Sequence, residues 1–313
     1  MDDKEIILLP APHIKAGYEW LDEMRFVRNE QSSYKPTQSP LTNRATFIIR
    51  ALNEIGVQYE LDIFDEAGYD LYDYSRPKSL NIIVKFCSRS GQPAIAFMAH
   101  FDVANINSEN CQDNSASVCN LLHLCAKLKN QAIGESKNII SQRPVIIVFS
   151  DREEAGGTGA RYFSGRMLRG DFGNIEYVVN LELTGLGRAV WVDTENTKKW
   201  AKDKIVETPL LLKCGEILGE SGYHKVSTPF SDAFVLRRCG VDAVCIGILP
   251  VEEVLEIEKH KGGRQETWSL CHSETDTIDK CDAQDMQDFT DLLERFVTGI
   301  PTADALEGKT IPH

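Results

Sequence analysis

Acidic and histidine side chains follow several short apolar runs of the sequence. Residues 145–149 lead to Glu153 and Glu154, and another run leads to His100 and Asp102. Apolar runs without polar alternation are typical of strands covered on both faces of a parallel sheet. In open α/β sheets the groups that contact ligands lie just past the carboxyl ends of strands, so these side chains are candidates for a site.

Each pair also has an ordinary explanation. A Glu-Glu pair is most often a solvated acidic loop, and a histidine and an aspartate at a strand end can simply face water. In a strand, however, positions 100 and 102 lie on the same side. A carboxylate that holds the second ring nitrogen of a histidine commonly lies behind a metal ligand, and Asp102 could hold His100 in this way.

Further polar residues extend the set. Asp113 precedes an apolar helical pattern, where it could be an N-cap and nothing more. Glu182 lies near the end of the apolar run 177–183, and a carboxylate there is costly to bury unless it is paired or bound to a metal. Asp232 and His272 complete the set from loops. Two histidines among several carboxylates suit zinc or a similar ion, and more than three candidate ligands indicate two ions that share a bridge.

The elements that must position these residues follow from the apolar pattern. The strands predicted at 57–64 and 80–86 are expected to form a hairpin at the sheet edge, on either side of a tyrosine-rich loop. Residues 186–204 are charged and irregular apart from 189–192 and are expected at the surface, and 252–264 is the candidate lid. Strands are predicted at 57–64, 80–86, 94–98, 145–149, 177–183 and 243–249, and helices within 14–55 (broken at 32–40) and at 118–128, 160–168, 209–218 and 283–297.

Composition narrows the function classes. The 313 residues are 42% hydrophobic and 26% charged, which is typical of a globular protein, and the net charge of −13 argues against a nucleic-acid or anionic-membrane partner. No run is long enough for a membrane span, and the acidic start does not fit a signal peptide. The nine scattered cysteines contain no C-x-x-C pair, so reduced thiols and a cytoplasmic location are expected.

The order of the polar motifs resembles that of the co-catalytic zinc exopeptidases typified by bacterial leucyl aminopeptidases, a family that includes glutaminyl cyclases. The motifs are H-x-D at His100, D-N at Asp113, E-E-x-G at Glu153, N-x-E-x-x-G at Glu182, S-D at Asp232 and H-S-x-x-D-T at His272. The resemblance covers residues 94–297. It implies a three-layer α/β/α sandwich with a mixed, mostly parallel central sheet.

The resemblance also implies a role for each residue. Asp113 would bridge two zinc ions, although other divalent metals are possible. One ion would also be held by His100 and Glu182, and the other by Glu154 and His272. Asp102 would orient His100 by holding its ring. The family further implies a cis peptide between Asp113 and Asn114.

The implied reaction is removal of the first residue of a peptide. A water that bridges the metals would attack the peptide bond. Glu153 would be the general base that takes a proton from this water and passes it to the leaving amine. Asp232 is assigned to substrate binding.

The sequence departs from the family pattern at two positions. The family usually has aspartate where Glu182 stands, and many members have histidine or tyrosine where Ala233 follows the S-D motif. The first departure concerns metal geometry, and the second concerns the substrate pocket.

Residues 1–313 are predicted to form one catalytic domain, with a core of about 42–299 and an N-terminal helical extension, 1–41. The leading hypothesis is a metallo-aminopeptidase that acts on a peptide or small amide. The alternatives are a glutaminyl-cyclase-like acyltransferase, a hydrolase of non-peptide amides and a non-catalytic binding module. The cyclase reading is disfavoured because such relatives typically carry a tryptophan before the last histidine, where this chain has Cys271.

Overall fold

A computed structural model of the chain describes residues 14–27, 40–65, 78–88, 91–133, 143–193, 209–219, 222–228, 230–259 and 265–299. The predicted tyrosine-rich loop, most of the break at 32–40 and the end of the candidate lid lie outside these residues. Within the described part no helix is long and apolar enough to cross a membrane.

The described residues form a three-layer α/β/α sandwich, which confirms the predicted fold class. The helices are α1 (Gly17–Met24), α2 (Asn43–Ile55), α3 (Ala116–Ile133), α4 (Thr158–Leu168), α5 (Pro209–Leu218), α6 (Asp232–Arg238), α7 (Val251–Lys259), α8 (Glu266–Ser269) and α9 (Ala283–Thr298). The strands are β1 (Tyr59–Asp65), β2 (Lys78–Phe86), β3 (Ala94–His100), β4 (Val145–Ser150), β5 (Ile175–Leu181), β6 (Ala189–Asp193), β7 (His224–Val226) and β8 (Ala243–Leu249).

The described strands form one mixed sheet in the order β1-β2-β4-β3-β5-β8-β6-β7. The neighbouring strands β4, β3, β5 and β8 are parallel. The hairpin of β1 and β2 lies at one edge, as predicted, and β2 pairs with β4 in the antiparallel sense. The carboxyl ends of four adjacent strands therefore meet at one edge of the sheet, which is where ligand-binding groups gather in such folds.

Helices cover both faces of the sheet. One core joins a sheet face to α1, α2, α3, α5 and α9, and the other joins the opposite face to α4, α6, α7 and α8. The strands β3, β4 and β8 are buried along their whole length, which explains their unbroken apolar sequences.

The N-terminal helix α1 belongs to the first core. Trp20, Leu21 and Met24 are fully buried in it, and α1 packs against α3 and α9. Helix α2 follows, with the Thr42 hydroxyl accepting a hydrogen bond from Ala45 N at its start and Gly56 ending it at a φ of 76°. Residues 17–24 thus pack into the same core as α2, α3 and α9.

The expectation that residues 186–204 lie at the surface is wrong for β6. Trp191, Val192 and Asp193 are fully buried, and β6 lies inside the sheet between β8 and β7. The buried carboxylate of Asp193 is paired with Arg237 of α6, whose Nη2 lies 2.9 Å from Oδ2. Arg237 is distant from Asp193 in the sequence. The charged residues around Asp193 therefore indicated exposure, because the partner that allows its burial is not among them.

The loop after β4 folds back onto β2. Asp151 N donates to Asn81 Oδ1 at 3.3 Å, and Asn81 Nδ2 donates to Gly159 O at 3.1 Å. A Cβ on Gly159 would lie 2.3 Å from Asp151 O and 2.6 Å from Asn81 Oδ1. Glycine is therefore required at the point where α4 closes this loop.

We expect Gly159→Ala to lower the free energy of unfolding by about 1–3 kcal/mol, because the added methyl group overlaps backbone that cannot move freely. Gly165→Ala in the same helix is the matched control. Its Cβ would have only Arg169 Nη1 nearby, at 3.7 Å, so a gain of about 0.5–1 kcal/mol is expected. Urea unfolding of both variants measures the difference, and equal stability of the two would contradict the assignment.

Candidate metal centre

The predicted site residues converge at the carboxyl edge of the parallel strands. The predicted metal ligands and Glu153 line a cavity of about 390 Å³. His100 ends β3, Glu153 and Glu154 follow β4, and Glu182 follows β5. The remaining described lining residues are Asp113, Gly156, Leu183, Thr228, Phe230, Trp268, Cys271 and His272.

One group of possible ligands consists of His100, Asp113 and Glu182. One ligand atom from each lies within 4.8 Å of the others. His100 Nε2 is 3.4 Å from Asp113 Oδ1 and 3.5 Å from Glu182 Oε2. The glutamate therefore reaches this group despite the methylene that it has beyond the usual aspartate.

A second group consists of Asp113, Glu154 and His272, again with ligand atoms within 4.8 Å of one another. His272 Nε2 lies 2.9 Å from Glu154 Oε2 and 3.5 Å from Asp113 Oδ2. Asp113 thus turns one carboxylate oxygen toward each histidine. This is the arrangement that a carboxylate bridging two cations requires.

Asp102 supports both sides of the site from behind. Its Oδ1 is 3.4 Å from His100 Nδ1, as the predicted orienting role requires. The same carboxylate accepts hydrogen bonds from Glu153 N at 3.1 Å and Glu154 N at 3.2 Å. One buried side chain therefore fixes the ring of His100 and the start of the acidic loop.

Asp276 supports Asp113 in the same way, a role that the sequence did not reveal. Its two oxygens accept hydrogen bonds from Gln112 N at 2.7 Å and Asp113 N at 3.0 Å. A cis peptide joins Asp113 to Asn114, as the resemblance implied. The sequence signal that could have identified Asp276 is its place in the H-S-x-x-D-T motif, four residues after His272.

Without a cation, the carboxylates of this cluster are destabilised by burial and by repulsion between their negative charges. Burial raises the pKa of Glu153, Glu154 and Glu182, and their acidic neighbours raise it further. Burial acts to lower the pKa of His100, but Glu182 and the other adjoining carboxylates outweigh this and raise it well above its usual value. A bound cation would favour ionised carboxylates and neutral histidines.

The donor set fits zinc. Imidazole nitrogens and carboxylate oxygens are the ligands that this ion takes in proteins, and each group leaves a position for water or substrate. Glu154 supplies a further indication, because its Oε1 is buried and no hydrogen-bond partner reaches it among the described residues. Such an atom is costly to bury unless something else binds it.

Glu153 belongs to neither ligand group, although it lines the same cavity. Its backbone is held by Asp102, and its side chain is buried beside the ligands. A carboxylate so placed, with its pKa raised by burial, can accept a proton from water in the cavity.

Asp232 lies behind the cavity and is not among the described residues that line it. Its side chain is fully buried, and Ser150 Oγ donates to its Oδ2 at 2.5 Å. The adjacent Ala233 N donates to Asn180 Oδ1 at 2.9 Å. The structure therefore does not bring Asp232 to the space in which a substrate would lie.

The lining residues other than the carboxylates and histidines are largely apolar. They include Leu183, Phe230 and Trp268, and the ring of Trp268 packs against Trp191 with centroids 5.5 Å apart. The described lining residues include no lysine or arginine. The cavity thus combines a cluster of candidate metal ligands with an otherwise uncharged lining.

Comparisons with known proteins agree with this geometry. The sequence model of peptidase family M28 matches residues 81–297. No curated protein sequence matches significantly. The fold is similar to the LapA aminopeptidase of Legionella pneumophila, at 16% identity and a TM-score of 0.64, over 90% of this chain and 69% of that one.

Two further structures match over nearly their whole length. A glutaminyl cyclase of Porphyromonas gingivalis has 17% identity and a TM-score of 0.65, over 91% of this chain and 97% of that one. A Zn-dependent exopeptidase of Parabacteroides distasonis has 14% identity and a TM-score of 0.63, over 93% of this chain and 99% of that one. At these identities the likeness concerns the fold.

We expect His272→Ala to lower bound zinc from about two ions to about one per chain, because it removes a ligand from the second group alone. Plasma mass spectrometry after zinc reconstitution measures the content. His224→Ala is the control, since His224 lies on β7 and does not line the cavity. Full zinc content in the His272 variant would remove this residue from the ligands.

Proposed function

The chain belongs to peptidase family M28, and on that premise we propose that it is a two-zinc aminopeptidase. The observation that carries the proposal is the pair of ligand groups that share Asp113, with the carboxylate of Glu153 beside them and outside both. His100, Asp113 and Glu182 would hold one ion, and Asp113, Glu154 and His272 the other. When bound, the ions supply Lewis acidity at the peptide carbonyl and lower the pKa of water.

We propose two ions because the negative charge of the cavity carboxylates exceeds what one divalent ion can balance. Four carboxylates, those of Asp113, Glu153, Glu154 and Glu182, line one cavity. A single divalent ion would leave the cluster strongly negative, and burial of that charge is unfavourable. Two divalent ions balance it while both histidines remain neutral ligands.

Glu153 is the general base in this proposal. Its carboxylate accepts a proton from the attacking water and then donates it to the amine that leaves. Burial raises the pKa of Glu153, so its carboxyl group retains a proton more readily than an exposed glutamate does and can hold it between the two transfers. Asp102 keeps the residue in place through Glu153 N.

The cavity lining supports action at the amino end of a peptide. The described lining residues offer no lysine or arginine to pair with a terminal carboxylate, so the amino end of a peptide suits the cavity better than the carboxyl end. A volume of about 390 Å³ also lies at the lower end of small-ligand sites, which suits a chain terminus better than an extended segment.

A glutaminyl-cyclase-like reaction is the second candidate. Trp268 lines the cavity four residues before His272 in the sequence, so an aromatic ring is present although Cys271 occupies the position just before the histidine. Such a ring could pack on a glutamine side chain. Hydrolysis remains the leading proposal because the second ligand group gives the site a capacity for two ions.

We expect Glu153→Gln to keep its zinc and to lose roughly 10²- to 10⁴-fold in kcat, the scale for removal of a general base. The adjacent Glu154→Gln is the contrasting variant and should lose zinc from one site. Metal content and steady-state rates are measured on the same preparations. Wild-type turnover in the Glu153 variant would exclude this residue as the base.

A substrate panel tests the reaction class. We expect release of nitroaniline from leucyl-p-nitroanilide but not from its N-acetyl derivative, because acetylation removes the free amine by which an aminopeptidase recognises the end of its substrate. Cleavage of both compounds at similar rates would indicate a general amide hydrolase. Ammonia release from a glutaminyl peptide, without nitroaniline release, would favour the cyclase.

A further inference from the structure

Arg44 is a buried cation next to the metal centre. It lies in the first turn of α2, and only 1% of its surface is exposed. A buried guanidinium is costly unless its surroundings compensate the charge. The residue also precedes the segment 81–297 that matches the peptidase family.

The guanidinium contacts two chain segments that carry ligands. Arg44 Nε donates to Phe101 O at 2.6 Å, and Phe101 stands between His100 and Asp102. Arg44 Nη2 donates to Ser115 Oγ at 2.5 Å, two residues after Asp113. One rigid group thus connects the end of β3 with the turn that holds the shared carboxylate.

Ser115 extends this connection into the same turn. Its hydroxyl accepts from Arg44 and donates to Asn110 O at 2.5 Å. The turn at Cys111–Ser115 is therefore held from two directions. Asp276 binds the backbone of Gln112 and Asp113, while the Arg44 and Ser115 pair fixes its end.

The charges around Arg44 agree with this role. Burial lowers its pKa, whereas Asp102 and Asp276 are among the groups that raise it. These are the two carboxylates that lie directly behind the ligands. The buried guanidinium offsets part of the negative charge that these two carboxylates place behind the ligands.

We propose that Arg44 is a positioning residue for the metal centre, and that α2 is consequently part of the catalytic unit although it lies outside the family match. The planar fork of the guanidinium sets the separation between the His100 and Asp113 segments. Lysine would keep the charge but not two donors in fixed directions. The inference rests on the proposed function, since it presupposes the zinc site.

The test compares Arg44→Met and Arg44→Lys with Arg50→Met in the wild-type background. Arg50 is on the same helix, but it is exposed and contacts Glu23 at 2.9 Å, away from the site. Zinc affinity is measured by chelator competition. Melting temperatures are recorded with and without zinc, and kcat and KM are determined separately.

We expect Arg44→Met to bind zinc about 10- to 100-fold more weakly, the scale for loss of a group behind metal ligands. Its kcat should fall while KM stays within about twofold, and zinc should raise its melting temperature less than in wild type. For Arg44→Lys, the zinc affinity and kcat should lie between those of wild type and Arg44→Met. For Arg50→Met, both should match wild type. If the Met variant does not fold, the zinc affinity of the Lys variant decides.

The inference is overturned if the Arg44 variants bind zinc as Arg50→Met does, even if their zinc-free forms melt earlier, since that result describes a purely structural arginine. The wild-type measurement separates the two proposals. A wild-type chain that binds no zinc overturns the proposed function and this inference together. Zinc binding that is equal in wild type and Arg44 variants overturns this inference alone.

Discussion

The constraint on which the rest of the structure depends is the gathering of negative charge at one buried edge of the sheet. Four cavity carboxylates lie close together, and burial raises the pKa of three of them. Such a cluster keeps its shape only if each group is held from outside it. The supports are two further carboxylates, Asp102 and Asp276, which accept backbone N–H groups, and a buried guanidinium behind them. Supporting groups are therefore as necessary to the site as the ligands.

Topology explains how distant residues reach this edge. Because β4, β3 and β5 are adjacent and parallel, their following loops start from neighbouring points. The antiparallel β2 brings its first residues to the same end, where Asn81 holds the acidic loop through Asp151 and Gly159. The hairpin edge and the parallel core thus serve different purposes. The parallel strands present the ligands, and the antiparallel neighbour fixes one loop among them.

The sequence predicted the parts of this arrangement that are local. Apolar runs that lead to His100 or Glu182 identify both a strand and its functional end. The features that the sequence did not predict depend on partners that are distant along the chain. Asp193 is buried because Arg237 pairs with it, and Arg44 is buried because Phe101 and Ser115 accept its hydrogen bonds. Nothing beside these residues in the sequence shows such a partner, so charged side chains that stabilise the interior resemble surface residues. The three-residue strand β7 was missed for a related reason, since its pairing with β6 is what defines it.

Glu182 shows how a departure from a family pattern can be compatible with the same site. Its backbone N donates to Ile246 O at 3.0 Å, which continues the pairing of β5 with β8 beyond the strand. Asn180 Nδ2 lies 3.4 Å from Glu182 Oε1, so the other oxygen, Oε2, faces His100. The Oδ1 of this asparagine accepts from Ala233 N at the start of α6. The longer side chain is therefore directed by an amide that is itself anchored to a helix. An aspartate at this position would have less reach, and we infer that this asparagine suits the glutamate because it directs one oxygen away from the ligand group and leaves the other within it.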